Sequence, residues 1–259
     1  MDSKNIDLNQ QSNCFFSYFY SIQTILLVDM EGINNVNHCE EIDETASCFN
    51  SLTEDEIGLI ERNKTEIKYS KGETIIKQGT KATNILYLKE GLVKLSMNSG
   101  ENSLIINIKP LNHFIGTENL YGVEFHPYSV TALQDCVVCF LDIEDIRYLI
   151  KQNNVFGSDI YRVINANIVL TYDRLFSLTQ KQLHGRFADI LLCLSSKIFK
   201  ETKFDLPLSR RDLAALTGMA PESVIRIIKD FKNDKLIATQ GKSIEILNMP
   251  MLKKISAVG

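Results

Sequence analysis

The side chains best placed for specific recognition lie in the segment SRRDLAALTGMAPESVIRIIKDF, residues 209–231. Glu222 and Arg226 are four residues apart, so on a helix they would lie on one face, one turn apart. A guanidinium can donate two hydrogen bonds to the edge of a guanine, and a carboxylate can accept one from a base amino group. The alternative is an intrahelical ion pair, which would contribute only about 0.3 kcal/mol to helix stability.

The sequence around this pair predicts two helices joined by a tight turn. We expect a first short helix over residues 208–217 and a turn that begins at Gly218, since glycine readily adopts a positive φ. Pro221 suits the first position of the second helix, where its missing N–H leaves no hydrogen bond unmade. The apolar positions of that helix recur at i, i+3, i+4 and i+7 and should face a core: Val224, Ile227, Ile228 and Phe231.

The outer side of the second helix and its basic surroundings predict contact with double-stranded DNA. The candidate base-reading residues are Glu222, Ser223, Ile225 and Arg226. The candidate phosphate contacts, which add salt-dependent affinity without sequence information, are Ser209, Arg210, Arg211, Lys229, Lys232 and Lys242. Residues 180–259 carry 14 Lys and Arg against 8 Asp and Glu, a net charge of +6, whereas residues 1–179 carry 14 against 24, a net charge of −10. Only the C-terminal third is therefore expected to meet a polyanion.

The region from residue 65 to residue 142 is predicted to form short antiparallel strands. The runs TEIKYS, ETIIKQG, NILYLKEG, LVKLSM and SLIINIKP are rich in Ile, Val, Leu and Tyr and are punctuated by glycine. Turn signals every 8–12 residues or so are typical of a small barrel or sandwich. A helix with a capping-type start, SLTEDEIGLIE, is predicted to lead into it.

The hydrophobic period changes after residue 142 and predicts a long amphipathic helix. A small barrel leaves little surface for such a helix, so we expect it to pair with the same helix of a second subunit. Packing against its own barrel alone is the alternative. The predicted dimer interface consists of Phe156, Ile160, Val163, Ile164, Ile168 and Leu175. Near the C-terminus, IATQGKSIEILN predicts a hairpin, or wing, around Gly241.

A glycine-punctuated β-roll, a long helix and a winged helix-turn-helix in this order resemble the CRP/FNR family of bacterial transcription regulators. The resemblance covers roughly residues 45–250 and is most specific in SRRDLAALTGMAPESVIRIIK, where Glu222 and Arg226 stand on the family's most typical base-reading positions. Pro221 replaces an arginine of the cyclic-AMP branch, which implies a half-site closer to the FNR type.

The resemblance implies an α+β fold with three parts. These are an N-terminal antiparallel β-roll of the cyclic-nucleotide-binding jelly-roll type at residues 46–150, a dimerisation helix at 151–179, and a winged helix-turn-helix DNA-binding domain at 180–259. It implies a homodimer that reads a palindromic site through the major groove, with RNA polymerase as a further partner. A sensory or scaffold β-roll whose C-terminal helices bind a protein is the alternative. No GxSxG, HExxH or Walker motif indicates an enzyme, and the CxxC spacing of Cys136 and Cys139 falls on a predicted strand, where the two side chains point to opposite faces.

The signal sensed by the β-roll stays open. The segment FIGTENLYGVEFHPYSVTALQ matches the family's nucleotide site but contains Glu118 without an arginine, and no Lys or Arg occurs from Pro110 through Ile146. A buried phosphate without a cation is unfavourable, so cyclic AMP is not expected.

Two metal-based signals are further alternatives implied by the resemblance. The FNR branch carries an iron–sulfur cluster, and Cys39, Cys48 and Cys139 match three of its ligands by position, one fewer than the usual four. Buried cysteines acting as small apolar side chains are the structural alternative. Haem or nitric oxide sensing would use ligands from among His38, Met97, His113 and His126.

The N-terminal run CFFSYFYSIQTILLV is too short and too polar to span a membrane, which needs about 20 apolar residues. We hypothesise that translation starts at Met30, so that residues 1–29 are spurious or disordered, and we expect residues 1–45 as a whole to form a disordered or spurious N-terminal extension. The expected location is the cytoplasm, with reduced cysteines and no membrane partner.

Overall fold

The computed structural model describes residues 47–100 and 102–259 of the chain, and it has the predicted α+β class. An antiparallel β-roll is followed by a long helix and a winged helix-turn-helix. The predicted N-terminal extension, residues 1–45, and Cys39 lie outside the described residues. No helix in the described ranges is long and apolar enough to cross a membrane.

Two four-stranded antiparallel sheets form the β-roll. Its strands are β1 (Thr65–Tyr69), β2 (Thr74–Ile76), β3 (Asn84–Glu90), β4 (Leu92–Ser99), β5 (Asn102–Pro110), β6 (His113–Ile115), β7 (Ser129–Ala132) and β8 (Cys136–Asp142). One sheet has the strand order β1-β8-β3-β6 and the other has the order β2-β7-β4-β5. Leu88, Val93, Val130 and Val138 come from both sheets, are completely buried and belong to one apolar cluster. The predicted strands and their antiparallel arrangement are thus confirmed.

Side-chain caps define where the helices around the roll begin. Helix α1 (Glu54–Asn63) starts with a capping box, in which Thr53 N–H donates to Glu56 Oε2 over 2.8 Å. Helix α2 (Ile143–Gln152) follows β8, and the long helix α3 (Asn154–Gln180) follows it directly. Asn153 Oδ1 accepts from the first amides of α3, so this helix starts three residues later than the sequence predicted.

Helix α3 has two apolar faces, and the predicted dimer interface mixes them. Phe156, Ile160 and Val163 are 0%, 2% and 5% exposed and pack in one cluster with Leu141 of the roll and Leu149 of α2. The interface prediction is wrong for these three residues, because their own subunit already covers them. Helical periodicity shows that a face is apolar but does not show which partner covers it.

The opposite side of α3 is apolar and exposed. Tyr161, Ile168, Tyr172 and Leu175 are 54%, 42%, 66% and 59% exposed. At about 100° per residue they fall within a stripe roughly 60° wide, on the side away from Phe156. We call these four residues the outer stripe of α3. Of the predicted interface residues, Ile168 and Leu175 belong to it, and Ile164 is half-buried at the edge of the roll cluster.

The C-terminal part is a winged helix-turn-helix. Its elements are α4 (Leu183–Cys193), β9 (Lys203–Asp205), α5 (Arg210–Thr217), α6 (Pro221–Asn233), β10 (Ile237–Gln240), β11 (Ser243–Ile246) and α7 (Met249–Val258). Strands β10 and β11 form the predicted hairpin around Gly241, and β9 completes a three-stranded sheet.

The β-roll and the winged helix-turn-helix share a buried surface. Leu92, Ile105 and Leu133 of the roll belong to one apolar cluster with Leu208 and Leu213 of the C-terminal part. Strand β4 therefore lies close to α5, and the two parts meet through an apolar core.

Candidate nucleic-acid interface

A capping box fixes the start of α5. Ser209 is the N-cap, Asp212 N–H donates to Ser209 Oγ over 3.0 Å, and Ser209 N–H donates to Asp212 Oδ2 over 3.0 Å. The Ser209 hydroxyl also donates to Asp212 Oδ2 over 2.6 Å. This hydroxyl, a predicted phosphate contact, is thus already engaged inside the chain. Arg210 and Arg211 follow in the first turn and are exposed.

The turn between α5 and α6 has the predicted form. Gly218 has a φ of 62°, in the left-handed region that favours glycine. A Cβ atom at this position would lie 3.0 Å from Leu178 Cδ2 at the end of α3, so the turn also packs closely. Pro221 occupies the first position of α6, as predicted.

The apolar side of α6 sets the orientation of the helix. Its four predicted core residues are between 0% and 6% exposed: Val224, Ile227, Ile228 and Phe231. The Phe231 ring packs edge-on against Phe187 of α4, with 5.7 Å between the ring centroids. Because this side is buried, the opposite side of α6 must face outward.

The outward side carries the predicted base-reading residues. Glu222 and Arg226 are exposed, Ile225 is 56% exposed and Ser223 is half-buried. Within residues 47–100 and 102–259 neither Glu222 nor Arg226 forms an ion pair, so the intrahelical pair is not made. Both charged groups are therefore available for other hydrogen bonds.

The remaining predicted phosphate contacts surround the base-reading residues of α6. Lys229 and Lys232 are exposed on α6, and Lys242 is exposed at the tip of the wing. Lys242 also lines a cleft that faces the β-roll. The cations are thus spread over α5, α6 and the wing, the three elements that a bound duplex would follow.

One corner of the β-roll contains buried acceptor atoms. Within the described part, Glu118 Oε1, Asn119 Oδ1 and His126 Nδ1 are buried without a hydrogen-bond partner. Burial lowers the pKa of His126, so the imidazole is neutral at pH 7. The Glu118 carboxylate and the Asn119 amide oxygen would repel a phosphate, and Arg147, which contacts this corner, already donates to the carbonyl oxygens of Leu120 and Asn119. The residues present do not fit the phosphate of a cyclic nucleotide.

Cys48 and Cys139 are the two described cysteines of the predicted iron–sulfur ligand set. Both belong to one cluster of apolar side chains. Burial, with Asp159 nearby, raises the pKa of Cys48 to about 12, and burial with Glu66 raises the pKa of Cys139. Metal-binding cysteines bind as thiolates, which both environments disfavour. Within the described ranges no three His, Cys, Asp or Glu residues are grouped to hold a metal ion. As described, Cys48 and Cys139 are packed as apolar side chains, and the third candidate, Cys39, lies outside the described residues.

The described haem-ligand candidates lie on separate elements. His113 Nδ1 contacts Leu111 O over 2.9 Å, His126 lies between β6 and β7, and Met97 on β4 is 44% exposed. His38 lies outside the described residues. These positions favour structural roles for the two histidines.

Two features of this part of the chain were missed at the sequence level. Lys94 of β4 forms an ion pair with Asp212, which is 118 residues away, and no local pattern connects them. Tyr161 and Tyr172 of the outer stripe were also missed, although their seven- and four-residue spacings to Ile168 could have indicated them.

Comparison with known proteins agrees with the two-part architecture. The model of the cyclic nucleotide-binding domain matches residues 66–153, and that of the Crp-like helix-turn-helix domain matches residues 185–255. The transcriptional activator protein Anr of Pseudomonas protegens is 27% identical over 222 residues, which cover 83% of this chain and 91% of that protein. The fumarate and nitrate reduction regulatory protein of Escherichia coli is 23% identical over 229 residues, which cover 85% of this chain and 90% of that protein. The structure of FixK2 from Bradyrhizobium japonicum has the same fold, with a TM-score of 0.70 at 20% identity, and the match covers 76% of this chain and 98% of that one.

Proposed function

Because the chain belongs to the CRP/FNR family of transcription regulators, we propose that it acts in the cytoplasm as a homodimer that reads a palindromic DNA site through the major groove. The observation that carries this proposal is the outward side of α6. On it Glu222 and Arg226 are exposed and form no ion pair with any described residue, while the inner side of the helix is firmly packed. A helix held in this way presents the same side chains to every site it meets.

The exposed groups of α6 suit distinct features of a base pair. Arg226 can donate two hydrogen bonds to guanine, and Glu222 can accept one from the amino group of cytosine. Ile225 offers an apolar surface for a thymine methyl, and Ser223 can bond to a neighbouring base. The surrounding cations bind backbone phosphates and set the register of the helix without reading sequence.

Pairing of two α3 helices through their outer stripes would form the homodimer that binds both half-sites. The stripe is apolar, exposed and continuous over four turns, and in water such a surface favours association. Two-fold pairing places one α6 in each half-site, about 34 Å apart along the duplex.

We propose that the controlling signal acts on the β-roll and that it is a molecule other than cyclic AMP. The buried acceptors Glu118 and Asn119 occupy the region where a nucleotide phosphate would need cations. A ligand of the roll would act by favouring one arrangement of the α3 helices and hence one spacing of the two α6 helices. We also propose RNA polymerase as a partner, because the family resemblance implies it.

Replacement of Arg226 separates base reading from general DNA affinity. Arg226→Ala should lose most of its preference for the specific site over random DNA while its oligomeric state is unchanged. The matched control is Lys229→Ala, three residues along the same helix. It should weaken binding to all sequences alike and lower the salt dependence by about one phosphate contact. Fluorescence anisotropy at several salt concentrations measures both, and an unaltered site preference in Arg226→Ala would refute the assignment.

A further inference from the structure

A cleft of about 310 Å³ lies between the β-roll and the winged helix-turn-helix. Lys71, Lys94 and Thr131 line it from the roll, and Ser209, Asp212 and Lys242 line it from the C-terminal part. Its apolar lining includes leucine side chains of both parts. The volume falls within the range of about 300–1,000 Å³ that is usual for small-molecule sites.

The cleft carries an excess of positive charge. Among the described residues that line it, Asp212 is the one acidic residue, and its carboxylate is already satisfied by Lys94 Nζ and by the Ser209 cap. Lys71 and Lys242 are exposed, and in the described ranges neither ammonium group has a carboxylate partner. Asp135 accepts a hydrogen bond from the backbone N–H of Lys71 over 2.9 Å and not from its ammonium group. Three lysines against one aspartate leave a formal charge of +2.

We propose that this cleft binds a small phosphate-bearing anion between Lys71 of the β-roll and Lys242 of the wing. Two ammonium groups that lack carboxylates attract a phosphate from opposite sides of the cleft, and hydrogen bonds to a charged acceptor are about twice as strong as neutral ones. The Thr131 hydroxyl is a further donor on the roll side. The leucine side chains accommodate the organic part of the ligand. Neither Lys71 nor Thr131 belongs to the predicted DNA-contacting residues.

Such an anion would compete with DNA. Lys242 lines the cleft and is also a proposed phosphate contact, so one ammonium group would serve either the ligand or the duplex. This consequence rests on the proposed function, whereas binding of the anion itself does not. An anion that bridges the two parts would also hold the start of α5 and the wing against the roll.

Inorganic pyrophosphate, titrated calorimetrically into the full chain without DNA, tests the site. The wild type should bind it saturably, and Lys71→Gln should bind about tenfold more weakly, since one of two uncompensated charges is gone. Lys68→Gln removes an equal charge from exposed strand β1, outside the cleft, and should leave the affinity unchanged. Equal melting temperatures would verify that the variants are folded.

A third variant distinguishes the cleft from the DNA-facing surface. Arg210→Gln lies outside the cleft and should bind pyrophosphate like the wild type. Absence of saturable binding, equal affinity in the wild type and Lys71→Gln, or a loss confined to Arg210→Gln would each overturn the proposal. Failure of the DNA-binding proposal would instead be seen with Arg226→Ala and DNA, so the two failures are distinguishable.

Discussion

Cys48 and Cys139 are the residues whose chemistry depends most on their surroundings. By position in the sequence they match ligands of an iron–sulfur cluster, whereas in the fold both thiols are buried in an apolar cluster beside Tyr87. Burial favours the neutral thiol, and the carboxylates of Asp159 and Glu66 act in the same direction. These two side chains act as packing groups in the described part of the chain.

The raised pKa of Cys48 predicts slow alkylation in the native protein. With a pKa of about 12 instead of 9.0, its thiolate fraction at pH 8 falls about a thousandfold. Iodoacetamide labelling followed by peptide mass spectrometry should therefore modify Cys48 at least about a thousandfold more slowly in the native than in the urea-unfolded chain. Equal rates in the two states would mean that Cys48 is not buried as described.

Helix α3 shows how one element can serve two partners. Its inner face packs on the roll through Phe156 and Ile160, and Lys109 of β5 donates to Asn167 Oδ1 over 2.6 Å to anchor the middle of the helix. Its outer stripe remains free for a second subunit. The element therefore joins the β-roll to the proposed dimer interface.

A charge in the outer stripe should dissociate the dimer without unfolding the subunit. Leu175 is 59% exposed, so Leu175→Glu leaves the monomer core intact but would bury a carboxylate in the dimer. We expect the dimer dissociation constant to rise at least about a hundredfold, which corresponds to roughly 3 kcal/mol. Sedimentation equilibrium measures it.

The same helix provides a matched control for this substitution. Val155 is 62% exposed but lies at the start of α3, about 120° away from the outer stripe. Val155→Glu should leave the dimer as stable as the wild type. Equal weakening by both substitutions, or by neither, would contradict dimerisation through the outer stripe.

Local sequence signals predicted helix α6 and the turn before it well, because each of their features depends on nearby residues. Gly218, Pro221 and the buried side of α6 follow from a positive φ, a helix N-terminus and a 3.6-residue period. The partner of an apolar face is set by the tertiary fold, which is why Phe156 was assigned to the wrong interface. The pair of Lys94 and Asp212 lay beyond prediction for the same reason.

In the whole molecule, the ion pair of Lys94 and Asp212 connects the β-roll to the winged helix-turn-helix. Burial alone would raise the pKa of Asp212, but hydrogen bonds from Lys94 and Ser209 outweigh it and hold the pKa below its ordinary value of 3.8. The pair therefore stabilises the fold at pH values above about 3.8. Its contribution is lost as the pH falls through the lower pKa of the folded state.

Removal of the lysine should reveal this pH dependence. Lys94→Met keeps the apolar stem, and we expect it to lower the free energy of unfolding by about 1 kcal/mol at pH 7, since the pair is only partly buried. Urea unfolding should show the difference shrinking as the pH falls below 3.8 and through the lowered pKa of Asp212. The control Lys89→Met removes a more exposed pair within the roll, with Glu66, and should have a smaller effect at pH 7. A difference from the wild type that stays constant with pH would contradict the role of the carboxylate.

Selection of DNA from a random-sequence pool by the purified full chain tests the central claim, sequence reading by a symmetric pair of α6 helices. The enriched sequences should contain two inverted half-sites whose centres are about 10–10.5 base pairs apart. Arg226→Ala, selected in parallel, should lose the enrichment of its contacted base pair. Enrichment of no sequence over the starting pool, or of sequences without two-fold symmetry, would contradict the account.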